Sequence, residues 1–263
     1  MAITNVRQQV LQDVRDKIDL ERKLVKKLRT LDAEVISLFK DDAMNGQMTR
    51  ADIFEPEFEE LLFKHYDAVS DTFGGRISDE LPKNEGLTDA EKATLAAAIL
   101  LFIKRRSVEQ ARIILQTTQK DMATSVKIAV QETEDPIERA LVASAVMSRQ
   151  LTRRRPGIAA LETQAMAEAA KVIEFDVLAK KRPLSLEKPA RPLNKEWVTV
   201  GDHRVRPAHA RADGQVRGVD ELFIVKREQL RFPGDTSFGA TPGNVINCRC
   251  SAVYDIAELS KLR

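Results

Sequence analysis

The chain is poor in the residues that usually mark chemistry. Its 263 residues hold two Cys, three His, one Trp and only 5% aromatics. Two Cys exclude a disulfide scaffold, and a reducing cytoplasm is the expected place of synthesis. A dominant charge is also missing: 42 Lys+Arg stand against 40 Asp+Glu, a net +2. That excludes a generic polycation, so any nucleic-acid contact must be local. The longest apolar run, Leu95 to Ile103, falls far short of the roughly 18 residues that suggest a membrane span. The opening MAITNVRQQV lacks the apolar core of a signal peptide. No Walker A loop, G-x-G-x-x-G or H-E-x-x-H motif occurs. At roughly 100–200 residues per domain, the length fits one large domain or two small ones.

The rare residues are not scattered. Cys248, Cys250, His203, His209 and Trp197 all lie beyond residue 196, as do Gly201, Gly214, Gly218, Gly234, Gly239 and Gly243. The skew implies a fold of α+β class. A mainly helical domain is expected over 1–182, a Pro-rich linker over 183–195, and a small loop-rich, β-containing module over 196–263.

In the helical part, Val6, Val10, Val14, Leu24, Leu28, Leu31, Val35 and Leu38 recur at steps dominated by three and four. This predicts a long amphipathic helix over 4–40, in one piece or two. Met44-Asn45-Gly46 should break it, and Pro56 suits the first turn of the next helix. Thr88 to Glu91, Ser107 to Gln110 and Asp135 to Glu138 each read as capping boxes. Ala93 to Ile103 is the best candidate for a buried central helix. Arg153-Arg154-Arg155-Pro156-Gly157 reads as punctuation before an Ala-rich helix, Ala159 to Leu178.

Pro183, Pro189 and Pro192 cannot continue a helix and favour an extended linker. Beyond them, Trp197 to Val200, Glu221 to Val225 and Val245 to Tyr254 are β-prone. Asp213-Gly214, Pro233-Gly234 and Pro242-Gly243 separate them as turns.

Three chemistries are open, the first two in this module. Cys248 and Cys250 would share one face of a strand, and with His209 and His203 they could hold zinc, which accepts mixed Cys and His ligands. The C-x-C spacing is tighter than the usual zinc knuckle. The plainer reading is that both thiols simply pack in the interior, since free Cys is among the most buried residue types. The second chemistry is hydrolytic or nucleolytic. A Cys–His dyad oriented by Asn247 or Asp202, or a cluster of Asp202, His203, Arg204, Arg206 and His209, could do acid–base work; against it, Asp–Arg pairs also fix loops in a module with little core. The third is DNA contact through Arg153, Arg154, Arg155, Lys180, Lys181 and Arg182, or through Lys104-Arg105-Arg106. Solvated helix ends carry such basic runs as well.

The order Trp197, Asp202-x-Arg204-Val205-Arg206-x-x-His209, Asp213-Gly214-Gln215, Phe223, Phe232-Pro233-Gly234-Asp235 and Asn247-Cys248-Arg249-Cys250 resembles the phage Mu F-like head morphogenesis family, minor capsid proteins of tailed phages. The helical part is similar more weakly, through Ile113 to Thr118 and Ala160-Leu161-Glu162-Thr163-Gln164. In the latter, Leu161 stands where the family often has Arg. The resemblance implies a virion protein made in the host cytoplasm and placed in the head interior or at the portal vertex. It implies the portal or major capsid protein as partner, a role in head assembly and in DNA packaging or ejection, and no defined enzymatic activity.

Overall fold

A computed structural model describes residues 3–45, 47–79, 81, 86–180 and 194–255. Four long helices come first: α1 (Ile3–Met44), α2 (Glu55–Phe73), α4 (Asp89–Glu132) and α5 (Pro136–Lys180), with the short α3 (Arg76–Asp79) between α2 and α4. A short 3-10 turn, Ala51–Phe54, precedes α2. The C-terminal part holds β1 (Asn194–Val198), α6 (Pro207–Ala212), β2 (Gln215–Gly218), β3 (Phe223–Val225), β4 (Glu228–Leu230), α7 (Pro242–Val245) and β5 (Ser251–Tyr254). The α+β expectation therefore holds. Among the described residues, no helix is long and apolar enough to cross a membrane.

Contacts divide the chain into two compact units. One comprises the described residues of Met1–Leu20, Asp67–Leu101 and Ala160–Arg263; the other comprises Glu21–Tyr66 and Phe102–Ala159. The expected linker lies almost wholly outside the described residues, and its last two positions, Asn194 and Lys195, are already strand.

The helix starts and stops show which local signals acted. The long N-terminal helix is one piece and ends at Met44, as the Asn-Gly pair implies. At the start of α4 the Thr88 hydroxyl accepts from the Glu91 N–H, and the Glu91 carboxylate accepts from the Thr88 N–H at 2.7 Å. At the start of α5, Asp135 accepts from the Glu138 N–H at 2.8 Å. There the reciprocal bond is replaced, since Glu138 accepts from the Thr133 hydroxyl instead.

Three expectations fail. Ser107 starts nothing; it lies inside α4 and its hydroxyl donates to the Lys104 carbonyl. Pro156 does not break α5, which runs through it, although Pro brings no N–H for the i→i−4 ladder. Ala93 to Ile103 is not buried all round: Leu95, Ile99 and Ile103 form one buried stripe, while Leu101 is 72% exposed. The helix buried on nearly every side is the C-terminal part of α5, where Ala165, Met166, Ala167, Ala169, Ala170 and Phe175 are interior. Alanine's small side chain lets neighbouring elements approach that stretch closely.

In the C-terminal part, β1 is central, with antiparallel β2 and β5 on either side. Trp197 pairs with Gln215 on one edge and Ala252 on the other. β3 and β4 make a separate hairpin, turned by Lys226 and Arg227, both at positive φ. That backbone matches the twist of a two-residue hairpin. The Pro242-Gly243 pair is not a turn between strands but the opening of α7.

Candidate metal centre

The centre is built from the interior of the C-terminal part outward. Trp197 on β1 is fully buried. Its ring stands perpendicular to His209 with centroids 5.6 Å apart, and to Phe223 at 5.4 Å. Pro207 opens α6, and that helix carries His209 inward. Arg206, just before it, donates to the Ile246 carbonyl. This ties the start of α6 to the segment that delivers the cysteines.

Cys248 and Cys250 lie before β5, not in a strand as expected. The alternation survives in the loop: both cysteines are buried, while Arg249 turns outward. Asn247, at φ 54, supplies the left-handed turn just before them, a conformation that Asn tolerates better than most residues. Arg249 makes a two-pronged bond to Asp202, 2.7 Å on each arm. Asp202 also accepts from the Arg204 N–H at 2.9 Å. The Arg249 fork holds the Asp202 carboxyl down at about 2.

His209 Nδ1 lies 3.6 Å from Cys248 Sγ and 3.4 Å from Cys250 Sγ. The three ligand atoms all lie within 4.8 Å of one another. His209 Nε2 is buried and has no hydrogen-bond partner among the described residues. Both cysteines are free thiols. The S–H of one bonds the sulfur of the other, so Cys248 ionises far more readily than a lone thiol, and Cys250 is correspondingly held protonated.

His203, expected as a ligand, is exposed and is not part of this trio. Of the sets expected for acid–base work, the Cys–His pair is brought together, but the residues expected to orient it and the wider cluster do not join it. Asp202 is engaged with Arg249, Arg206 with a carbonyl, and Asn247 is exposed. The remaining motif residues fix loops. Asp213 accepts from the Thr199 N–H at 2.7 Å. Gly214, at φ 75, donates to the Trp197 carbonyl at 2.9 Å. Asp235 accepts from the N–H groups of Arg231 and Ser237, both at 2.8 Å.

The sequence reading missed a buried polar network on α1 and α5 that grips this module. Gln164 donates to the carbonyls of Pro233 (3.1 Å) and Cys250 (2.8 Å), and accepts from Lys17 at 3.0 Å. Glu168 accepts from the Ala252 N–H (2.9 Å), the Ser251 hydroxyl (3.0 Å) and Lys17 (2.7 Å). Lys171 pairs with Glu168 at 2.9 Å and Asp13 at 3.1 Å, and Arg76 pairs with Asp13 and Asp16. Glu174 caps α3 by accepting from the N–H groups of Ile77 and Ser78. Burial pushes Glu168 up, but Lys17 and Lys171 outweigh it and hold the carboxyl below its ordinary range. Only the Gln164 motif hinted at this, through its place beside Leu161.

The basic runs are less available than expected. Arg155 is buried against Asp32, and Arg154 is paired with Asp121 and the Ile114 carbonyl. Arg153 and Lys180 are exposed. Lys181 and Arg182 lie outside the described residues.

Residues 143–253 match the family model for Phage Mu protein F like protein. The chain carries a Phage Mu protein F like domain. The Mu F-like domain opens within α5 and closes in β5, so it contains Gln164, Glu168 and the whole Cys–His centre. No curated protein and no solved structure matches the chain at a significant level.

Proposed function

We propose that the chain is a minor structural protein of a tailed-phage head, acting in head morphogenesis at the portal vertex or inner capsid. The Mu F-like domain carries this reading, because it spans the module together with the helix that grips it. Portal or major capsid protein is the partner, and the virion is where the chain resides. The side chains support a role through protein contacts. The buried cations Lys17, Lys171 and Arg155 are committed to internal carboxylates. Any touch on packaged DNA falls to exposed groups such as Arg153 and Lys180. The proposal assigns no reaction to the chain.

The test is removal of the gene from its phage, followed by microscopy and composition of the heads. Heads that are aberrant or empty, and wild-type heads that contain this chain in few copies beside the portal, are the expected result. Normal, DNA-filled heads without it, and wild-type heads that lack it, would overturn the proposal.

A further inference from the structure

The trio of His209, Cys248 and Cys250 has a geometry that two buried thiols and an imidazole do not need. In a tetrahedral zinc site, bonds of about 2.3 Å to sulfur and 2.0–2.1 Å to nitrogen separate S from N by roughly 3.5 Å. The two observed separations are 3.6 and 3.4 Å, one on each side of that value. A neutral imidazole nitrogen offers a single lone pair and can accept from one thiol; here Nδ1 faces two sulfurs at nearly equal distance. The ring is not turned that way by a bond on its far side, since Nε2 has no partner among the described residues. The ring packs edge-on against Trp197, and that packing leaves Nδ1 aimed at both sulfurs.

Two pieces of chain converge on that point, and three local bonds and turns hold them there. α6 brings His209, the left-handed turn at Asn247 brings Cys248, and the Gln164 bond to its carbonyl fixes Cys250. We infer that His209 Nδ1, Cys248 Sγ and Cys250 Sγ bind one zinc ion, which fastens α6 to the start of β5. Both sulfurs bind as thiolates, and whatever thiol proton the pair still holds is released. The two thiolates then balance the 2+ charge, so the buried cluster is neutral and needs no counter-ion. The fourth position is left to water. His203 takes no part. The assignment is independent of the phage-head reading.

The test uses the full chain, purified under reducing conditions after growth with zinc. Elemental analysis should find about one zinc per chain. His209→Ala, Cys248→Ser and Cys250→Ser should each lower that content by about tenfold or more, while His203→Ala leaves it unchanged. Because the three variants are at risk of misfolding, the wild-type chain is also loaded with cobalt(II). A thiolate-to-cobalt charge-transfer band of two-thiolate strength, with tetrahedral d–d absorption, is expected. A folded wild-type chain with no zinc and no such band would overturn the inference. So would zinc that persists undiminished in all three ligand variants.

Discussion

Asp13 and Asp32 lie on the same helix and both are buried, yet their carboxyls shift in opposite directions. Burial pushes each up. Around Asp13, Lys171, Lys17 and Arg76 outweigh it and hold the carboxyl low. Around Asp32, burial outweighs the bond and charge of Arg155, and the carboxyl stays raised. The contrast extends to the units they belong to. The unit containing Asp13 fills its interior with a multi-centre network of Lys17, Glu168, Lys171 and Gln164, which also accepts the backbone of β5. The unit containing Asp32 relies on apolar helix stripes such as Leu24, Leu28, Val35 and Phe39, with isolated ion pairs beside them. A small module of short β strands has little apolar surface of its own to bury. Polar bonds to a helix substitute for that missing core.

The largest effect should come from Glu168→Ala. It strips two cations and two β5 groups of a buried partner, and should cost about 3–5 kcal/mol in chemical unfolding. Loss of less than about 1 kcal/mol would erase the distinction between the units.

A pH titration of unfolding sharpens it further. His65, in the apolar unit, is lowered to about 3 by burial and by Lys27. It is neutral in the fold, while the unfolded chain takes up a proton below its ordinary 6.5. Its contribution is therefore complete above pH 6.5 and drains away as pH falls toward 3. Glu168 and Asp13 have lowered folded values, so their contribution is present above about 4.5 and is lost only below that. His65→Leu should flatten the stability slope between pH 6.5 and 4.5 and leave the acid limb below it. An unchanged slope would remove His65 from the account.

Gly234→Ala comes next. Gly234 sits at φ 91, and an added Cβ would lie 2.8 Å from Gln164 Cγ. Strain of about 1–3 kcal/mol is expected, read as a lower midpoint in urea. Arg112→Ala should do least. Its bond to Glu55 is 2.7 Å, but Arg112 is 61% exposed, so a change within about 1 kcal/mol is expected in the same assay.

The sequence made the module legible through residues whose roles are local. Asp202 and Asp235 fix turns by bonds to backbone two to four positions away, and Gly214 and Gly234 take the positive φ that their turns need. The helix ends at Met44 and Thr88 were legible for the same reason. The grip on the module was not. The buried stripe of α1 runs Val10, Asp13, Lys17, Leu20 and Leu24, so hydrophobic periodicity misses two of its positions and picks the half-buried Val14 instead. Two charged residues on a buried stripe look like solvent-facing ones until their partners are known, and those partners lie some 150 positions away on α5. The same blindness made Arg154 and Arg155 look free for DNA. Ala93 to Ile103 looked central because its composition is apolar, whereas exposure depends on which neighbours arrive.

Native-state hydrogen exchange of wild type against Glu168→Ala reads how the buried network holds the module. If the buried network holds the module on α5 and α1, protection should fall together in Ser251–Tyr254, Asn194–Val198 and the 160–180 stretch of α5. Exchange that is unchanged in Ser251–Tyr254, or a loss confined to that strand alone, would contradict it.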